Sequence, residues 1–251
     1  MFAVKPEIII KREDKMSDII SVKNLSKSYG SHQVLSNVSF DFEGGQIIGL
    51  LGPNGSGKTS LIKILTGLIH DYEGDVRIDG DEPGVVTKAK VAYLPERTYL
   101  ADWMRSIDAI DFMADFYKDF DREKALKMLE AFQLPLKQKI KTMSKGMQEK
   151  LQLLLVLSRN AKLYVLDEPL GGVDPAARAF ILDTIMKNHP EGSTILISTH
   201  LIYDVEKIFN SVLMIGRGQV LVKGKVDEIT ADGKTIEDLF KEVFGYAWQV
   251  N

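Results

Sequence analysis

The chain has 251 residues, 45% of them hydrophobic and 27% charged, which is enough apolar content to bury a core and too much for wholesale disorder. A formal net charge of -3 argues against a dedicated nucleic-acid binder, so no nucleic acid is expected as a partner. The absence of cysteine excludes disulfides, a thiolate metal site and a cysteine nucleophile together.

No apolar run approaches the roughly 20 residues that a bilayer-spanning helix needs. At the start, Ile8-Ile9-Ile10 is surrounded by Lys5, Glu7 and the run Lys11-Arg12-Glu13-Asp14-Lys15, which is unlike a secretory signal. Met16-Ser17 reads as a second start, so residues 1–16 are expected to be a leader outside the fold. Strand patterns follow. Ile20, Val22 and Leu25 open one, Gly30-Ser31 turns the chain, and Val38, Phe40 and Phe42 alternate with polar residues. Gln46 to Leu51 is a short apolar strand running into Gly52. Leu61, Ile62, Leu65 and Leu68, three and four apart, predict one apolar helix face. Val76–Ile78 and Val91–Tyr93 are two further strand candidates.

Between about residues 98 and 160 helical periods dominate. Ile107, Ile110, Met113 and Tyr117 form one stripe; Asp121 is placed to cap a helix carrying Ala125, Met128, Leu129 and Phe132; a third helix is expected after Ser144. Strand signals return at Leu163–Leu166, Thr194–Ser198 and Val212–Ile215. Thr235 and Asp238 have capping-box spacing before a last helix at Ile236–Phe244. Strands alternating with helices imply an α/β fold with a mainly parallel sheet, an N-terminal antiparallel β part and an inserted α-helical subdomain.

Gly52-Pro53-Asn54-Gly55-Ser56-Gly57-Lys58-Thr59 fits G-x-x-x-x-G-K-[ST], with an apolar strand before it and a helix after it, and these residues together with Ser60 are expected to bind the nucleotide. The glycines let backbone N–H groups converge on phosphate oxygens, and the helix directs its positive end at the same anion. Lys58 is expected to reach the β- and γ-phosphates and the Thr59 hydroxyl to ligate Mg²⁺. Leu163-Tyr164-Val165-Leu166-Asp167-Glu168-Pro169 ends an apolar strand in two carboxylates. Asp167 suits the Mg²⁺ side of such a site, while Glu168 faces another direction and is free to polarise the attacking water. His200 closes a third apolar strand, on the edge where ligands collect in open α/β sheets, within reach of the γ-phosphate and that water.

These elements in this order resemble the ATP-binding cassette (ABC) ATPases over nearly the whole chain, from about Ser17 to Phe244. The P-loop NTPase core of that family implies a nucleotide-binding domain over 17–234, with a C-terminal helix and tail over 235–251. Tyr29 stands where the family places an aromatic that stacks on adenine. Tyr93-Leu94-Pro95-Glu96 stands at the Q-loop, which adds Glu96 to Thr59 and Asp167 as an expected Mg²⁺ group. Ser144-Lys145-Gly146-Met147 stands at the signature, whose helix start would meet the γ-phosphate of ATP bound to the opposite subunit. Gly171-Gly172-Val173-Asp174 matches the D-loop, and His200 the switch histidine.

Two departures are visible. Glu96 replaces the usual Gln, and Lys145 and Met147 replace Gly and Gln of the signature. The SKGM pattern followed by Gln148-Glu149-Lys150-Leu151, with Thr235–Phe240 at the end, is similar to ATPase subunits of simple bacterial exporters. The resemblance thus implies an ATP-hydrolysing subunit that dimerises around two ATP with itself or a related ATPase. It would drive an integral-membrane permease from the cytoplasmic, inner face of the cell membrane. Trp103 and Met104 are expected as exposed permease contacts. An alternative is a non-transport ABC ATPase of the iron–sulfur assembly type; roughly 45 residues between Q-loop and signature leave no room for the long coiled coil of repair relatives. A nucleotide-gated binding module is a third reading, opposed by Glu168 and His200.

Overall fold

Two strands of alternating apolar residues, β1 (Asp18–Tyr29) and β2 (His32–Glu43), pair antiparallel across the Gly30-Ser31 turn, in a computed structural model that describes residues 18–171 and 173–245. The leader expected over 1–16, Gly172 and the tail beyond Gly245 lie outside the described residues.

Next come β3 (Ile47–Leu51), α1 (Lys58–Leu65) and β4 (Glu73–Ile78), and β4 joins the other edge of β1 to complete a three-stranded antiparallel sheet. The chain continues through α2 (Val85–Lys88) and β5 (Val91–Leu94) into the helical insertion of α3 (Ser106–Phe116), α4 (Arg122–Ala131) and α5 (Lys145–Leu157). It returns as β6 (Leu163–Asp167), α6 (Pro175–Asn188), β7 (Thr194–Thr199), α7 (Ile202–Val205), β8 (Ser211–Gly216), β9 (Gln219–Lys225), α8 (Val226–Ile229) and α9 (Ile236–Gly245). The second sheet has the order β5-β6-β7-β3-β8-β9; its first five strands run parallel and β9 returns antiparallel to β8. This is the expected α/β architecture.

Central strands buried on both faces join two cores. In β3, Ile47 and Leu51 enter the core shared with the helical insertion, whereas Ile48 and Leu50 enter the core under the antiparallel sheet. In β6, Tyr164 and Leu166 face the first core and Leu163 and Val165 the second. The register sets Leu51 beside Thr199 and Asp167 beside Ser198, so the residues following β3, β6 and β7 emerge together at one sheet edge.

Local chemistry sets the helix ends. Asp121 caps α4 by accepting from Lys124 N at 2.9 Å, Ser144 caps α5 by accepting from Met147 N at 3.3 Å, and Thr235 and Asp238 exchange hydrogen bonds before α9. Two expectations need correction. Leu68 is not on the α1 face: Gly67, at φ +65°, follows the Thr66 cap, the helix ends, and Leu68 is 55% exposed. Met104 is not a surface contact, because it packs into the core of the insertion at 9% exposure, while Trp103 beside it is 70% exposed. Helix α6, with its Asp174 cap and Pro175 at the start, and the edge strand β9 were not anticipated from the sequence.

Candidate functional site

The Gly52–Thr59 loop links β3 to α1, and its conformation requires glycine at two close approaches. At Gly52 a Cβ would run into the Ile215 carbonyl oxygen and Ser56 Oγ; at Gly57 (φ +106°) it would meet the Val34 carbonyl oxygen at 2.9 Å. No side chain caps α1, so the N–H groups of its first turn are left for a ligand. Lys58 donates to the carbonyls of Gly52 at 2.7 Å and Pro53 at 3.0 Å, folding back over the loop. Burial lowers its pKa, opposed by Glu168 and Asp167.

Asp167 ends β6 and is buried. Ser198 of β7, adjacent in register, donates Oγ–H to Asp167 Oδ1 at 2.5 Å and accepts the Glu168 N–H at 3.1 Å. Glu168 occupies the left-handed region at φ +52°, an uncommon conformation for a side-chain-bearing residue. His200 Nδ1 lies 2.8 Å from Glu168 Oε2. Burial raises the pKa of both carboxylates; His200 is the chief opposing influence on Glu168, and the Ser198 hydrogen bond on Asp167.

One cavity of about 1060 Å³ gathers most of the predicted residues: the loop from Gly52 to Ser60, Glu96, Lys145, Asp167, Glu168 and His200. Tyr29 stands beside this cavity and not in its lining, with its hydroxyl 3.5 Å from Ser60 Oγ and its ring half exposed. Ser144, Gly146 and Met147 lie outside the lining, as does Asp174, whose side chain accepts from Ala177 N at 3.1 Å. Sequence reasoning missed Ser198, whose role depends on strand register, and Gln148, Glu149 and Gln152, which bring the first turns of α5 to the cavity wall. Helical spacing from Lys145 could have found those three. Phe240 of α9 also reaches the lining.

The Thr59 hydroxyl with the carboxylates of Asp167 and Glu96 is a hard-oxygen set of the kind that holds Mg²⁺ beside substrate phosphates. Buried Ser56 Oγ, without a hydrogen-bond partner, faces the same cavity and suits a phosphate acceptor.

A second, apolar groove of about 630 Å³ lies between the core and the helical insertion, with Leu68, Tyr99, Phe112 and Phe116 at its surface. Arg159, 3% exposed, closes its floor: it donates to the carbonyls of Val91 at 2.7 Å and Ala89 at 3.0 Å, pairs with Asp119, and sits 3.8 Å from the centre of the Tyr117 ring.

Fold and cavity together define a P-loop nucleotide hydrolase. The family profile described as ABC transporter matches residues 35–171. An ABC transporter ATP-binding protein of Methanocaldococcus jannaschii is 34% identical over 230 residues, covering 89% of this chain and 84% of that protein. The SkfA peptide export ATP-binding protein SkfE of Bacillus subtilis is 32% identical over 209 residues, covering 81% and 87%. A solved ATP-binding subunit of an ABC transporter superposes with a TM-score of 0.82 at 28% identity, covering 90% of this chain and 99% of that one. The chain belongs to the ABC transporter family, as an ATP-binding subunit with ATPase activity.

Proposed function

We propose that the chain powers export through a separate integral-membrane permease by hydrolysing ATP between two ATPase subunits. The observation that carries this reading is the convergence of the P-loop, Asp167, Glu168 and His200 on one cavity at the ends of β3, β6 and β7. Lys58 exchanges its loop carbonyls for the β- and γ-phosphates, and Tyr29 stacks on adenine from beside Ser60. Thr59, Asp167 and Glu96 would hold Mg²⁺, which would supply neutralisation of charge on the triphosphate. Glu168 accepts a proton from the water that attacks the γ-phosphorus. The bond from that phosphorus to the bridging oxygen breaks, and ADP leaves with its electron pair. His200 orients Glu168 and contacts the γ-phosphate. Ser144, Lys145, Gly146 and Met147, at the start of α5, serve the nucleotide of the second subunit together with Asp174.

No helix among the described residues is long and apolar enough to cross a membrane, and the permease is proposed as a second polypeptide. The apolar groove suits a cytoplasmic segment of that permease. Lys63, Lys88 and Arg97 line it and form no ion pair among the described residues, which favours an amphipathic segment with acidic residues. The subunit then works at the inner face of the membrane. Similarity to SkfE and the SKGM signature support export. Cross-linking Glu168→Gln with ATP in its native cells tests the reading. Recovery of a polytopic membrane protein is the expected result, and recovery of soluble partners alone would overturn it.

A further inference from the structure

Three buried side-chain atoms among the described residues have no hydrogen-bond partner, Ser56 Oγ, Glu149 Oε2 and Gln152 Oε1, and all three belong to residues lining the nucleotide cavity. Leaving a polar atom buried and unpaired destabilises the free protein, so their clustering marks a place where the bound state supplies the partners. Ser56 is accounted for by a phosphate oxygen. The other two present a different chemistry. An amide oxygen and a carboxylate oxygen can only accept hydrogen bonds, and phosphate oxygens are acceptors as well. Neither can meet the triphosphate directly; a donor must stand between them.

Glu149 and Gln152 are three residues apart on α5, which puts them on one face. Glu149 is held from one side by Lys145, whose Nζ lies 3.6 Å from Oε1, leaving Oε2 directed elsewhere. Gln152 is 3% exposed and lies deeper along the helix. Glu96, Asp167 and Glu168 line the same cavity, so this face of α5 shares it with the carboxylates of the strand ends. Val156, four residues beyond Gln152, lines the apolar groove, and one helix therefore borders both cavities.

We infer that Gln152, supported by Glu149, is a positioning residue for hydrolysis within its own subunit. Its amide oxygen accepts a hydrogen bond from water held between α5 and the terminal phosphate, and this fixes α5 relative to Glu168 while ATP is bound. The inference rests on the cavity being the ATP site. It adds a role for the chain's own α5 that is separate from the service of its first residues to the opposite nucleotide.

The test uses the full chain with Gln152→Met, which keeps the side-chain volume and removes the oxygen, and Gln152→Glu, which keeps an acceptor. Three quantities are read: Tm of the nucleotide-free protein, ATP affinity, and kcat. Gln152→Met is expected to hold or raise Tm, because an unpaired polar atom is gone. It should leave ATP affinity within about threefold and lower kcat by about tenfold or more. Gln152→Glu should recover most of kcat. A kcat for Gln152→Met within about twofold of native, or a parallel fall of Tm and kcat that Gln152→Glu does not rescue, would overturn the inference. Lys58→Ala serves as the separate control: undiminished ATP binding there would refute the cavity as the ATP site, independently of Gln152.

Discussion

Glu168 Oε2 lies 2.8 Å from His200 Nδ1, and the two residues come from the ends of different strands, β6 and β7. In the proposed mechanism the contact joins the group that accepts the water proton to a histidine that opposes the rise in its pKa. It has a direct consequence for pH dependence. Burial raises Glu168 above its ordinary value of 4.5, and His200 opposes the rise. In the proposed mechanism Glu168 works ionised, so activity should fall as pH drops through its folded pKa. The acid limb of kcat is expected above the ordinary carboxylate value, and His200→Ala should move that limb to still higher pH. Steady-state kcat profiles of the two proteins check this; a limb that stays or moves down contradicts it.

The glycine at the start of the loop is set by a close approach. Gly52→Ala places a methyl group against the Ile215 carbonyl and Ser56 Oγ, and the loop must shift to accept it. ATP affinity should fall by about tenfold or more, since a displacement near 1 Å misplaces every phosphate donor together. Isothermal titration measures it.

Arg159 ties the end of α5 to the strand leading into Glu96. Its guanidinium holds Asp119 and the carbonyls of Val91 and Ala89 from a buried position. Arg159→Met leaves those acceptors unpaired and should cost about 3 kcal/mol. That corresponds to a Tm lower by about 10 °C in a chain of this size. Thermal unfolding followed by circular dichroism checks the value.

Phe112 and Phe116 stack with centroids 6.1 Å apart on the exposed wall of the groove. Replacing both with Glu should abolish permease co-purification. Stability should change by no more than about 1 kcal/mol, because both rings are already largely in solvent. Retained co-purification would place the permease elsewhere.

The loop and the strand-end carboxylates were legible in the sequence because their chemistry is carried by neighbours along the chain. Gly52 to Thr59 and Asp167-Glu168 each form a complete local pattern. Asp121, Ser144 and Thr235 were legible for the same reason, since a cap needs only the next turn. Ser198 was not, because it acts through Asp167, a partner that only strand register supplies, and Gln152 was not, because only helix packing brings it to the cavity wall. Met104 and Leu68 show the same limit for packing. One is apolar and turned inward by the insertion, and the other is apolar and left outside by the helix stop at Gly67. The strand β9 carries an alternation of exposed and half-buried residues, and it is an edge strand paired along its length with β8.

ATP turnover by the purified chain, measured beside Glu168→Gln with ATP binding assayed on both, tests the catalytic reading most directly. The native chain is expected to hydrolyse ATP, and the variant to bind it with similar affinity while losing about a hundredfold or more in kcat. Turnover by the variant within about twofold of native would show that Glu168 does not carry the reaction.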